Sequence, residues 1–216
     1  MLFNKNTTFL LTGDSITDSG RLKDPYGIGI GYVNVINAMI TCAYPDLGIK
    51  IINTGISGNT IHNLRERWQA DVLDHAPDYL SIMIGVNDVW RYHDHRPEKR
   101  QYHVPLPEYK ATYKELLEQT IGKVDTTILI TPYLAEPNKS DPFRIMLDEY
   151  VAAVKQLSAD FGTLLVDTQS IIDNYMYNSG ISPINIAIDR VHPTGTGCMM
   201  IAKGVLSAVG FNFAKL

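Results

Sequence analysis

Ser15 stands in the run Thr12-Gly13-Asp14-Ser15-Ile16-Thr17-Asp18, directly after the apolar stretch Phe9-Leu10-Leu11. A serine at the end of a buried strand, in the turn into a helix, is placed to act as a nucleophile if a base stands within hydrogen-bond reach. The same position suits two other tasks. Ser15 can cap the helix that follows. The turn can also gather backbone N–H groups around an anion, with Asp14 as the reacting group of a phosphate-handling protein. The serine alone does not choose among them.

A candidate base lies near the far end of the chain. Of six histidines, His192 occurs in Asp189-Arg190-Val191-His192-Pro193, just before a final helical pattern. D-x-x-H spacing on a turn lets the carboxylate fold back onto its own imidazole, where it fixes the tautomer and stabilises an imidazolium. The competing reading is a surface loop with an incidental acid and histidine. Two further segments offer hydrogen-bond donors for an oxyanion. Asn87, in Ile84-Gly85-Val86-Asn87-Asp88, carries a side-chain amide, and the glycines of Asn53-Thr54-Gly55-Ile56-Ser57-Gly58-Asn59 let the backbone turn and present an N–H. Either segment could equally be an ordinary turn at a strand end.

These residues must be positioned by regular elements. Apolar, β-rich runs recur at 8–13, 49–55, 79–85, 126–132 and 163–168, separated by stretches of helical periodicity at 31–44, 63–75, 106–124 and 142–162. A last helix is expected over about 196–209. Strands alternating with helices imply right-handed βαβ units, hence a doubly wound α/β sandwich with a parallel sheet covered on both faces. No linker or internal repeat divides the chain, so 1–216 reads as one domain. Ligands of such folds bind beyond the carboxyl ends of the strands. Asp14 and Ser15, the turn 54–60, the segment 85–90 and the segment 132–138 should therefore share one rim.

Composition narrows the partners. The formal net charge is −4, and acids and bases are mixed along the chain without a basic block, which argues against nucleic acid and anionic membrane surfaces. The opening MLFNKNTTFLLTG has one lysine and no apolar run of signal-peptide length, and no window reaches the length of a membrane span. Cys42 and Cys198 fall in apolar helical patterns without a C-x-x-C spacing and read as buried free thiols of a cytoplasmic protein.

Taken in order, Gly-Asp-Ser, a glycine turn, Gly-x-Asn-Asp and Asp-x-x-His-Pro resemble the blocks of the SGNH hydrolases, or GDSL esterase/lipase family, from the first strand to the last helix. The resemblance implies a three-layer, flavodoxin-like α/β/α sandwich on a five-stranded parallel sheet, and an esterase working through an acyl-enzyme. Carried over by position, it makes Ser15 the nucleophile, His192 the general base and acid, and Asp189 its orienting partner. The Ser15 and Gly58 N–H groups and the Asn87 amide become the oxyanion hole. Ile16 stands where the family name has leucine, an isomeric change. Thr17 occupies the last place of a G-x-S-x-G elbow, which points away from the α/β-hydrolase fold.

The runs GDSITDSGR, INTGISGNTIHNLRERW and MIGVNDVWR look like the intracellular acetylxylan esterases of this family. Those enzymes remove acetyl groups from xylo-oligosaccharides, need no metal or other cofactor, and can form homo-oligomers. The expected ligand is then a small acetylated sugar. Trp90, Arg91 and Tyr92 follow the Asn87 block and could wall a sugar pocket or simply pack the start of an insertion. Ile188, just before Asp189, offers no aromatic platform on its side. No long apolar lid flanks the site, which argues against long-chain lipids. The insertion 91–103 holds His93, His95 and His103, a spacing that can bind zinc, yet its charge reads better as solvated surface or subunit contact. Trp68, at helical spacing with Leu64 and Val72, is expected in the core.

Overall fold

Residues 2–216 are described by the structure, a computed structural model. The elements run β1 (Thr8–Gly13), α1 (Ser15–Asp18), α2 (Tyr32–Ala43), β2 (Lys50–Asn53), α3 (Ile61–Glu66), α4 (Trp68–Asp71), β3 (Tyr79–Met83) and α5 (Val86–His93). They continue with α6 (Leu106–Thr120), β4 (Thr126–Ile130), α7 (Pro142–Phe161), β5 (Leu164–Val166), α8 (Thr168–Ser179) and α9 (Gly195–Ala208). The five strands form one sheet in the order β2-β1-β3-β4-β5, and every pairing is parallel.

The central strands carry the core because both of their faces are covered. Every residue of β3 is buried, and Leu80, Ile82, Leu129 and Ile130 are fully enclosed. Burial of each such aliphatic side chain is worth about 1.5–3 kcal/mol. On one face α9 packs against α2, α8 and β5; on the other α3 packs against α6, and α7 against α6, β4 and β5. Leu64, Trp68 and Val72 are buried together, as their spacing requires.

Several local features depart from the periodicity. The pattern at 63–75 is not one helix: it breaks at Arg67 into α3 and α4, because Arg67 leaves the helical path and sends its side chain toward the strand ends. Helix α8 fills a stretch with no helix expected, capped by Asp167, whose side chain accepts from Ser170 N, and closed by left-handed Gly180. Cys198 is buried but Cys42 is exposed on α2, so the expectation of two buried thiols is corrected for Cys42. No described helix is long and apolar enough to cross a membrane.

The carboxyl ends of β1 and β2 approach so closely that one position admits only glycine. A Cβ on Gly55 would collide with the backbone of Thr17 and Asp18 in the turn after Ser15. Asn53 fastens the same junction, donating through Nδ2 to the Thr17 carbonyl at 2.7 Å and to the Ile28 carbonyl at 2.9 Å. Gly55→Ala is therefore expected to lower stability by about 1–3 kcal/mol through overpacking. Urea denaturation at constant m-value measures the loss, and an unchanged midpoint would contradict the close approach.

Candidate active site

Strand β1 ends in Gly13, and the chain turns at once into the short helix α1. Asp14 is the N-cap of that helix: its Oδ1 accepts from the Ile16 N–H at 3.0 Å. Its carboxyl group is closed off from solvent, and burial pushes its pKa up to about 7. A buried acid tied to its own turn is poorly placed to react with a substrate. Ser15, by contrast, sits at the first position of α1, where its N–H has no intrahelical acceptor.

The Ser15 hydroxyl is 2.8 Å from His192 Nε2, and His192 Nδ1 is 2.6 Å from Asp189 Oδ2. Asp189 Oδ1 accepts from the N–H groups of Val191 at 3.0 Å and His192 at 2.7 Å, so the carboxylate is wrapped by its own turn. Partial burial alone would raise the pKa of Asp189. The hydrogen bonds from the His192 ring and from these two backbone groups outweigh it and hold the group below the usual carboxylate range. An ionised Asp189 accepts from Nδ1–H and leaves Nε2 as the ring's acceptor, the tautomer that can take a proton from Ser15.

The turn between β2 and α3 brings Gly58 to the rim with φ of 83°, a left-handed conformation suited to glycine. The Gly58 carbonyl accepts from Arg91 Nη2 at 3.1 Å, while its N–H has no protein acceptor among the described residues. Asn87, in the first turn of α5, is buried and gives one amide hydrogen to the Asn59 carbonyl at 3.1 Å. An amide nitrogen carries two hydrogens, so one is left for a ligand oxygen.

The three residues read together as a pocket wall diverge. The Trp90 ring lies 5.9 Å from the His192 ring and 6.4 Å from Phe143. Arg91 turns the other way, toward Gly58. Tyr92 is exposed and packs on His93 and His103 within the insertion. The insertion's histidines also separate: His93 stacks on Phe143, His103 Nδ1 lies 2.6 Å from the Asp88 carbonyl, and the His95 side chain is largely exposed.

Arg67 is the residue that sequence reasoning missed. Its guanidinium donates to the Gly13 carbonyl at 2.9 Å, the Thr54 carbonyl at 2.6 Å, Asn59 Oδ1 at 2.8 Å and Asp71 at 2.7 Å. One side chain thus braces the serine turn against the Gly58 turn. The signal available was an arginine at the end of the charged run Arg65-Glu66-Arg67, beside the apolar stripe of Leu64, Trp68 and Val72, and it points to no partner until the chain is folded.

A polar cavity of about 460 Å³ adjoins Gly58, lined in part by Thr60, His62, Arg91, Gln101 and Tyr102. A more apolar cavity of about 980 Å³ lies between β5, α8 and α9, and none of Ser15, Asp189 and His192 lines it. Ser15 itself opens on the surface beside half-exposed His192.

Comparison with known proteins agrees with the architecture. A sequence model of the GDSL-like lipase/acylhydrolase family matches residues 11–198. The acetylxylan esterase of Geobacillus stearothermophilus is 40% identical over 221 residues, covering 100% of this chain and 99% of the relative. A crystal structure of that esterase superposes with a TM-score of 0.92 at 40% identity over 98% of both chains. Its solved forms include catalytic mutants in which a serine, an aspartate and a histidine are each replaced by alanine. An α/β hydrolase enzyme from the metagenome of Lake Arreo, Spain, matches at 39% identity with a TM-score of 0.92, over 97% of this chain and 98% of that one.

Asp88, beside Asn87, is fully buried, with Oδ1 bonded to the Ile61 N–H at 3.0 Å and Oδ2 without a partner. Burial raises its pKa from 3.8 to about 7. Because the unfolded carboxyl ionises first, the stability contributed by the neutral form is complete below 3.8 and is lost as pH rises through about 7. Asp88→Asn keeps a neutral group there, so the melting temperature of the variant relative to the parent should climb from pH 4 to pH 7. Thermal scans across that range would show a constant difference if Asp88 ionised freely in the fold.

Proposed function

This chain belongs to the GDSL-like lipase/acylhydrolase family, and from that premise we propose that it is a serine esterase removing acetyl groups from carbohydrates, with acetylated xylo-oligosaccharides as the substrate class. The observation that carries the reading is the unbroken chain of hydrogen bonds from Ser15 through His192 to Asp189. In the proposed mechanism His192 Nε2 takes the Ser15 proton as Oγ attacks the acetyl carbonyl carbon. The negative charge that develops on the carbonyl oxygen is met by the Ser15 and Gly58 N–H groups and the free Asn87 amide hydrogen. His192 then returns the proton to the departing sugar hydroxyl, and the acetyl group stays on Ser15. A water, deprotonated by the same imidazole, releases acetate and restores the serine.

The open setting of Ser15 supports a small acyl group on a bulky alcohol. A long acyl chain needs an apolar trench beside the nucleophile, and neither cavity described above has Ser15 in its lining. Trp90, against His192, is the aromatic surface on which a sugar ring can rest. The acetylxylan esterase relative supports the choice of xylan fragments, at full coverage of both chains. Tyr92 and Tyr102 are more than half exposed on the 91–103 insertion, which supports that segment as a contact in a homo-oligomer.

Ser15→Ala should abolish turnover, with kcat reduced by about four powers of ten or more. Asn87→Ala should lower kcat by about two to three powers of ten with little change in KM; an effect confined to KM would reassign Asn87 to substrate binding. A panel of acetylated xylo-oligosaccharides, other acetylated sugars and aryl esters of increasing chain length, ranked by kcat/KM, tests the substrate class. A preference for long acyl chains would sink the sugar deacetylase reading and leave the Ser15 mechanism standing.

A further inference from the structure

Arg190 lies between Asp189 and His192 and adopts φ of 71°, a left-handed conformation that a bulky residue enters only under constraint. If the turn needed nothing but this backbone geometry, glycine would meet the need more cheaply. What an arginine adds is a grip. Arg190 Nη1 donates to Glu136 Oε2 at 2.9 Å and to Asp141 Oδ2 at 3.1 Å. Asp141 is the N-cap of α7, its other oxygen already occupied by the N–H groups of Phe143 and Arg144. The side chain therefore reaches from the turn that presents His192 to the start of the longest helix in the fold.

Bonds to main-chain carbonyls complete the seat. The Ala135 N–H donates to the Arg190 carbonyl at 2.8 Å, and Tyr133 donates its hydroxyl to the Val191 carbonyl at 2.6 Å. These contacts hold the turn on the segment after β4, and the Arg190 N–H adds a longer bond to the Ala187 carbonyl at 3.3 Å; the ion pairs act on the same turn through the side chain. The same helix start also reaches the imidazole through a second route, since Phe143 lies against Trp90 and Trp90 against His192.

We propose that Arg190 is a positioning residue for the Asp189–His192 pair: its ion pairs to Glu136 and Asp141 lock the left-handed turn that aims the carboxylate at Nδ1 and the imidazole at Ser15. The proposal rests on the roles given above to Asp189 and His192. Arg190 itself touches neither Ser15 nor the reacting atoms. Its loss leaves the turn in place but frees the angle between carboxylate and ring, and a misplacement of that kind costs rate more than affinity.

The test compares Arg190→Gly, which keeps the left-handed backbone and removes the grip, with Arg190→Lys, Glu136→Gln and the double variant Arg190→Gly/Glu136→Gln. Acetyl aryl ester kinetics and thermal melts are run on each. Arg190→Gly should lower kcat by roughly ten- to a hundredfold with KM nearly unchanged, and Arg190→Lys should recover part of that loss. The double variant should be no slower than Arg190→Gly, because both changes break the same contact. The downfield proton resonance of His192 Nδ1–H should weaken or shift upfield in Arg190→Gly, a signature that a purely structural brace would not move. Wild-type kcat with an unchanged resonance, or a lowered melting temperature alone, would overturn the proposal. His192→Ala serves as the control: if it retains activity, the functional reading itself has failed, whatever Arg190 does.

Discussion

One hydrogen bond of 2.8 Å joins residues 177 positions apart, Ser15 Oγ and His192 Nε2, and much of the fold serves to keep its two ends within reach. Ser15 leaves the end of β1, next to the middle of the sheet. His192 leads directly into α9, which packs against α2, the next α-helix after the one that Ser15 begins. The packing of α2 against α9 thus brings the beginning and the end of the chain to the same rim. A parallel sheet makes this possible because every strand delivers its loop to the same edge. Any register slip would raise or lower Ser15 or Asn87 relative to that edge and break the convergence.

The rim has a physical problem that the strands cannot solve. Loops leaving a sheet carry carbonyl groups with no ladder partner, and such groups need donors if they are buried. Arginines supply them. Arg67 meets the carbonyls of Gly13 and Thr54, Arg21 meets that of Gly55 and Arg91 that of Gly58, while Arg190 pairs with carboxylates and ties its own turn to the cap of α7. A guanidinium suits the task because five donors in a rigid fork can hold several acceptors at once, and it stays charged while doing so. Two buried acids, Asp14 and Asp88, complement them by accepting from single backbone N–H groups at the starts of α1 and α3. Charge in this site is used mainly to define backbone geometry, which leaves the Asp189–His192 pair half-exposed at the surface.

Much of this was legible beforehand, for reasons that can be named. The five apolar runs became the five strands because a sheet buried on both faces demands unbroken hydrophobic stretches. Helix α7 was readable at both ends, from Asp141-Pro142 at its start to Gly162 at its stop. Helix α8 was not, although it carries the same signals in weaker form, because a strand signal immediately before it competes for Asp167. The break at Arg67 was equally invisible. Local periodicity favours one helix there, and only the carbonyls of Gly13 and Thr54, far away in sequence, explain why the chain leaves it.

Residue types and spacing alone determined which side chains could do chemistry here: a serine after a strand, a carboxylate three positions before a histidine, an amide and a glycine turn at two other strand ends. These are local relations, written in a few neighbouring letters, and they survive without knowledge of the fold. Tertiary structure decided which candidates meet and which serve as supports. It sent Trp90 to the imidazole but Arg91 to the Gly58 carbonyl, enclosed Asp14, and turned Arg67 and Arg190 into braces. The reason is that a long polar side chain has no fixed role of its own. It takes whichever unsatisfied partner the packed backbone leaves within reach, and that partner exists only once distant segments have come together.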